Sequence, residues 1–282
     1  MTLPIDEKLK IGIQTIHREP DDQNGPWLPK IDELVDFVQL VDKSGFDSLW
    51  VGDHLSMPLP FFDPFQQLAQ AAVASRRLLL GTSVYLLPLR HPGPVAKQAI
   101  TLDHLSEGRL LFGVGIGGEF PKEYEVAGVP MNERGARLSE SIEVMRELWS
   151  GEPASYNGKF FKFSEVLMTP PPRQEGGPPI WCGGRKEAAF KRMGRLADGY
   201  VSYVVTPEMY RDALVKIEQA ANEANRKLNN FGTGHLIFTR VDDNYETALE
   251  TATSSLSKRY AMDFRRAAER YAALGNPEDV AA

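Results

Sequence analysis

The sequence predicts an α/β protein built as a (βα)8 barrel, and three observations carry that prediction. Short apolar runs alternate with longer amphipathic ones along the chain. The runs are almost unbroken in their apolar character, as strands covered on both faces of a parallel sheet must be. The length, 282 residues, matches one large α/β domain spanning 1–282, since barrels of this kind run to about 250 residues. Periodicity alone does not separate such a barrel from a doubly wound sheet.

Leu9 to Ile16 reads as a first strand, followed by a turn-rich loop at Asp21-Asp22-Gln23-Asn24-Gly25-Pro26. Ile31, Leu34, Val35, Val38 and Val41 then share one helical face, stopped by Gly45. Phe46 to Gly52 and Leu78 to Leu86 are the second and third strands. A helix from Pro94 carries Val95, Ala99, Leu102 and Leu105 and closes at Gly108. Leu110 to Gly115 is the fourth strand, and Leu138, Ile142, Met145 and Trp149 mark the helix after it. Residues 150–179 break the alternation and read as an insertion over the barrel. They hold a hairpin-like turn at Tyr156-Asn157-Gly158-Lys159, then Thr169-Pro170-Pro171-Pro172, read as a rigid connecting loop rather than a polyproline ligand.

The alternation resumes with Pro179 to Cys182 as strand five and a helix bearing Ala189, Met193 and Leu196. Tyr200 to Val205 is strand six, Pro207 opens a helix, and His235 to Thr239 lies in strand seven before a long helical stretch after Asn244. Asn276-Pro277-Glu278-Asp279 reads as a helix start, with an N-cap, proline at the first position and acidic residues in the first turn. Seven strands leave the eighth unit missing, so the natural chain is expected to continue past Ala282 by roughly 40 residues, the size of a βα unit.

Composition narrows the function. Lys and Arg total 32 against 38 Asp and Glu, a net charge of −6 with no basic block. Nucleic-acid and anionic-membrane partners, which require basic patches, are therefore not expected. No apolar run approaches the ~20 residues of a membrane span. Cys182 is the single cysteine, so there is no disulfide framework, and a cytoplasmic protein is expected.

In a barrel, reactive groups sit where strands end and βα loops begin. The second strand ends in Asp53-His54-Leu55-Ser56-Met57-Pro58. The adjacent carboxylate and imidazole suit acid–base work or the holding of a polar ring; a hydrogen-bonded loop fastening is the alternative. Arg90-His91-Pro92 reads as a loop fastener ahead of a Pro-started helix. The fourth strand ends in Gly113-Val114-Gly115-Ile116-Gly117-Gly118-Glu119. Glycines 113, 115 and 118 have the spacing of a dinucleotide fingerprint, but that motif opens a helix at its third glycine. Here Glu119-Phe120-Pro121 follows and the next helix is expected only near Arg134, so glycines admitting a ligand to the backbone fit better.

Strand five runs directly into Gly183-Gly184-Arg185-Lys186 and a helix. Open N–H groups, the positive end of the helix dipole and two basic side chains make an anion site, most simply for a phosphate; the alternative is a helix cap with solvated charges. Cys182 reads as a buried strand-end thiol. The five histidines show no metal-ligand spacing, which disfavours a metal-dependent hydrolase, and no Gly-x-Ser-x-Gly elbow occurs.

Several stretches, taken together and in order, resemble the luciferase-like family of flavin-dependent oxidoreductases. They are Gly45 to His54 (GFDSLWVGDH), Ala96 to Arg109 (AKQAITLDHLSEGR), Phe112 to Gly117 (FGVGIG), Pro178 to Gly184 (PPIWCGG) and Ala197 to Tyr200 (ADGY). The resemblance spans nearly the whole chain and implies a luciferase-like barrel holding FMN or the deazaflavin coenzyme F-420. It implies that Asp53 and His54 face the isoalloxazine ring, that Ser83 and Val84 pack behind it around a strained or cis peptide, and that Gly183, Gly184 and Arg185 hold the phosphate with Lys186 beside them. Glu119 stands one residue beyond the catalytic acid of related deazaflavin enzymes. Asp103 and His104 match the family but lie on a helix outside the barrel, in a structural role.

The expected function is a monooxygenase using reduced FMN and O2 on a small organic substrate. No second nucleotide-binding fold is visible, so a separate flavin reductase is the expected supplier of reduced FMN. The alternatives are a deazaflavin-dependent hydride-transfer enzyme and, from another class, a non-catalytic flavin-binding protein. Trp27, Phe61, Phe62 and Tyr203 are candidates to line an apolar substrate pocket. The resemblance further implies a homodimer.

Overall fold

Seven strands form one all-parallel sheet in the computed structural model, which describes residues 9–14, 30–57, 61–260 and 262–281. They are β1 (Gly12–Gln14), β2 (Ser48–Val51), β3 (Leu79–Thr82), β4 (Leu110–Val114), β7 (Ile180–Gly183), β8 (Gly199–Tyr203) and β9 (Gly232–Leu236), in that spatial order. A hairpin of β5 (Ala154–Asn157) and β6 (Lys162–Val166) stands apart between β4 and β7 in sequence. Each strand of the main sheet therefore neighbours the next one in the chain. A doubly wound sheet reverses its order at a switch point; this one never does, which decides in favour of the barrel.

Two tryptophans show how far the sheet curls. Trp50 on β2 and Trp181 on β7 have ring centroids 5.8 Å apart. In a flat sheet, three strand spacings would separate them by about 14 Å. The rings meet on the concave side because their neighbours are glycine: a Cβ at Gly12 or Gly81 would collide with Trp50, and one at Gly199, Gly232 or Gly234 with Trp181. The alternate residues face outward. Leu49, Leu80, Phe112, Val114, Ile180, Cys182 and Tyr200 are buried under the surrounding helices.

Those helices are α1 (Ile31–Lys43), α2 (Pro64–Ala74), α3 (Pro92–Leu105), α4 (Pro121–Val126), α5 (Arg134–Leu148), α6 (Glu187–Leu196) and α7 (Pro207–Glu223). Proline at the first position recurs, where its missing N–H costs nothing. Asp63 caps α2 by accepting from the N–H groups of Phe65 and Gln66 at 3.1 and 3.2 Å. Thr206 caps α7 through Met209 at 3.3 Å. The third-strand helix starts at Pro92, two residues before the expected Pro94, with the His91 ring accepting from Gly93 N–H. The expectation that no helix intervenes between Glu119 and Arg134 is corrected by α4, which opens at Pro121 with Glu123 in its first turn.

The β5–β6 hairpin is tied to α5. Glu140 accepts from the N–H groups of Lys159, Phe160 and Phe161 at 3.2, 2.8 and 2.8 Å, and the Tyr156 hydroxyl donates to Glu143 at 2.7 Å. Beyond it, Asp103 on α3 accepts from the backbone of Arg173 and Gln174 at 2.8 and 2.9 Å, and His104 meets the Pro171 carbonyl at 2.8 Å. Both side chains pin the proline-rich loop.

The C-terminal part departs from the expected pattern. The strand expected at His235 to Thr239 is two: β9 pairs with β8, while β10 (Phe238–Val241) pairs in parallel with β11 (Ala272–Gly275). The predicted long helical stretch is α8 (Tyr245–Tyr260), α9 (Arg265–Tyr271) and then β11. Ala267, Ala268, Ala272 and Ala273 keep a helix-compatible composition through that junction, and pairing with β10 overrides it. Two further parallel strands, β10 and β11, thus pair with each other outside the main sheet, whose edges are β1 and β9. The expected terminal helix is α10 (Pro277–Ala281), with Asn276 and Asp279 exchanging side-chain-to-backbone hydrogen bonds of 2.9 and 3.3 Å. Among the described residues no helix is long and apolar enough to cross a membrane.

Candidate active site

Because the strands are parallel, the segments that follow β2, β3, β4, β7 and β8 gather at one end of the sheet. The candidate residues come from those segments. Trp27 lies outside the described residues.

Asp53, 3% exposed, has both oxygens engaged. Arg90 donates to it in a fork, Nη1 to Oδ2 at 2.6 Å and Nη2 to Oδ1 at 2.9 Å, and Leu86 N–H adds a third bond at 2.8 Å. The guanidinium lies 4.4 Å from the Tyr85 ring centroid. Burial works against the Arg90 charge, but the hydrogen bonds and charge of Asp53 outweigh it and raise the guanidinium above its ordinary value. The pair braces the β2 and β3 ends together, as the fastener reading of Arg90 anticipates.

His54, next in the chain, is built differently. Its Nδ1 lies 3.1 and 3.3 Å from the two oxygens of Glu123. The same carboxylate accepts from Leu55 N–H at 2.7 Å and Ser56 N–H at 3.3 Å. Phe61 and Phe120 meet the imidazole edge-on at 5.0 and 5.4 Å. Burial alone would favour the neutral acid at Glu123, but His54 and the two N–H groups hold its carboxyl below the usual range. The His54 side chain keeps 19% exposure against 1% for Glu123.

Between these groups and the other strands sits Val84. The Ser83–Val84 peptide is cis, as the resemblance implies. Ser83 N–H donates to Val51 O at 2.8 Å, and its carbonyl accepts from Gln14 Nε2 at 3.4 Å. The Val84 methyls occupy the space over Gly115, where a Cβ would collide with them, and stand 3.2 Å from where a Gly183 Cβ would lie. Ser83, Val84, Gly115 and Gly183 therefore meet in one strand-end shelf whose glycines make room for the Val84 side chain.

At its far edge, Gly184 has φ +145°, and α6 begins after Lys186 with no side-chain cap. Arg185 and Lys186 are exposed there. Arg185 stacks 4.8 Å over the Tyr203 ring, and the Tyr203 hydroxyl donates to Glu119 at 3.2 Å. Burial, reinforced by the Glu119 charge, pushes the Tyr203 hydroxyl up to about 12. The structure thus brings Arg185, Tyr203 and Glu119 into one chain of contacts, separate from His54. Phe61 joins the histidine, and Phe62 is exposed. Cys182 is fully buried, and burial pushes its thiol up to about 12.

Glu123 and Phe120 are the site residues that sequence reasoning missed. The signal was present: Pro121 at a first helical position with an acidic residue two places on reads as a helix start.

In a curled parallel barrel the strand ends are where active sites form, and the oriented imidazole and the glycine-backed shelf stand there. The family model of luciferase-like monooxygenases matches residues 9–280, and the chain belongs to that family. It is 30% identical to an F-420-dependent glucose-6-phosphate dehydrogenase of Microbacterium testaceum over 89% of this chain and 72% of that one. It is 33% identical to the oxygenase component of the flavin-dependent trigonelline monooxygenase of Acinetobacter baylyi, over 55% of this chain and 43% of that one. Among solved structures, monooxygenase RslO1 from Streptomyces bottropensis superposes with a TM-score of 0.80 at 27% identity, covering 96% of this chain and 86% of that one. Deazaflavin and flavin enzymes are both represented among these relatives.

Proposed function

We propose that this enzyme is a coenzyme F-420-dependent oxidoreductase that oxidises a small hydroxylated substrate by hydride transfer. The observation that carries the reading is the His54–Glu123 pair. Removing hydride from a hydroxyl-bearing carbon leaves the oxygen's proton to be taken by a base. An imidazole with one nitrogen anchored on a buried carboxylate, on a side chain that is itself partly exposed, suits that step. The similarity to the glucose-6-phosphate dehydrogenase over most of this chain supports the same choice.

In this reading Ser83, Val84, Gly115 and Gly183 back the deazaflavin ring, and Gly184, Arg185, Lys186 and the first turn of α6 hold its phosphate. The coenzyme supplies the two-electron acceptor. His54 takes the substrate hydroxyl proton, and Phe61 and Phe120 shield the imidazole from water. Asp53 and Arg90 hold the turn that carries His54.

A second reading keeps the same shelf and phosphate site for reduced FMN, with O2 and a small organic substrate, fed by a separate reductase. The likeness to the trigonelline monooxygenase oxygenase component favours it. Titration of the protein with F-420 and with FMN, followed by turnover with and without oxygen, separates the two. Reduction of F-420 under anaerobic conditions is expected. Consumption of O2 with reduced FMN, and none of F-420, would replace the first reading by the second. Tight binding of either with no turnover would leave a flavin carrier.

A further inference from the structure

We infer that Glu123 is the positioning residue of the site: it fixes which nitrogen of His54 carries the proton and so which one is free to act. The inference rests on the proposed role of His54 and adds the residue that makes that role possible. Glu123 is 0% exposed, on the first turn of α4, and no other strand-end carboxylate is joined to an imidazole among the described residues.

An ionised carboxylate has no proton to donate and only accepts. Its other partners, Leu55 N–H and Ser56 N–H, are obligatory donors. With 3.1 Å between Nδ1 and Oε1, the shared proton therefore sits on Nδ1. The neutral imidazole then carries its lone pair on Nε2, the nitrogen that Glu123 does not engage. A free histidine in water prefers the opposite tautomer, with the proton on Nε2, which would present a donor where a base is required. Phe61 and Phe120 hold the ring edge-on and offer no polar group that would compensate. The neighbouring charges have other partners: Asp53 is forked by Arg90, and Glu119 accepts from Tyr203. Among the described residues Glu123 is the one carboxylate bonded to His54.

The same three donors make Glu123 the link between α4 and the 54–56 turn. The helix that follows the glycine loop is thereby locked to the residue that acts, across 69 positions of sequence.

The test begins with the unliganded wild-type protein. Long-range nitrogen–proton NMR correlations of His54, assigned by His54→Asn, read its tautomer directly, and the chain's five histidines keep the spectrum simple. The Nδ1–H form is expected. An Nε2–H form in the wild type would overturn the inference without any variant. Glu123→Leu is expected to shift His54 towards the Nε2–H form, and an unchanged tautomer in a folded Glu123→Leu protein would also overturn it. In Glu123→Gln, turnover of F-420 is expected to fall roughly tenfold or more, with F-420 affinity within about twofold of wild type because the shelf and phosphate site are untouched. Wild-type turnover in Glu123→Gln would reduce Glu123 to a loop fastener. If the wild type turns over neither coenzyme, the functional reading fails, while the tautomer result still judges this one.

Discussion

Asp53 and Glu123 are two buried carboxylates at the same strand end, 3% and 0% exposed, and each receives backbone N–H bonds as well as a side-chain partner. They differ in that partner. Asp53 faces a guanidinium, which keeps its charge at every pH the protein meets, so the pair is fixed and serves as a brace. Glu123 faces an imidazole, whose second nitrogen is left free to take up a proton, so the pair can serve chemistry rather than only hold the fold. Burial and hydrogen bonding alone do not distinguish a scaffold carboxylate from a working one; the chemistry of the partner does.

The largest effect that tests this contrast falls on Asp53. Asp53→Ala leaves the Arg90 guanidinium buried without its counter-charge, and loss of one partner of such a pair costs about 3–5 kcal/mol. Urea unfolding reads it, and a loss under about 1 kcal/mol would remove Asp53 from the scaffold. His54→Ala should do the reverse, with near-normal stability and flavin affinity but turnover lower by roughly a hundredfold. Normal turnover would return His54 to a structural role.

Arg185 sharpens the comparison from the other side, since it is an arginine without a carboxylate fork. Its loss is expected to weaken FMN or F-420 binding by about 1–3 kcal/mol, the size of a charged hydrogen bond, and to leave riboflavin, which lacks the phosphate, unaffected. Equal weakening of riboflavin would displace the phosphate from this site. The smallest effect is on acid stability. Glu123 is held below its ordinary value of 4.5, so its contribution is complete above that pH and is lost as the solution is acidified through the folded-state value. Wild type should therefore lose more of its urea midpoint than Glu123→Gln between about pH 6 and about pH 3. Parallel losses would mean that the carboxyl is not held down.

What the sequence reveals and what it hides follows range of interaction. Six of the seven main-sheet strands are legible because continuous apolar runs bounded by glycine and proline are local signals; β9, Gly232–Leu236, has no such run. The turn after β2 and the glycines after β4 and β7 are legible for the same reason. Partner choice is not. Nothing near Gly232 to Val241 tells that Ile237 divides a strand pairing with β8 from one pairing with β11, and an alanine-rich stretch hides β11 inside a helical pattern. Asp53 and His54 are visible as adjacent polar residues, but the brace depends on Arg90, 37 positions away, and the proton site on Glu123, 69 positions away. Sequence reading picks out the candidate residues at the strand ends and does not show which side chains they pair with.

The two indoles inside the barrel give the fold an optical signature. Trp50 and Trp181 are held 5.8 Å apart at 44°, with glycines on both sides preventing either ring from being displaced by a neighbour's side chain. Two identical chromophores at that distance and tilt share their excited states, so the pair absorbs as a chiral unit and gives a signed couplet in the aromatic circular dichroism. Because the rings stand on strands that are not neighbours, the couplet exists only while the sheet is curled, and it reports the curvature of the barrel independently of its helix content.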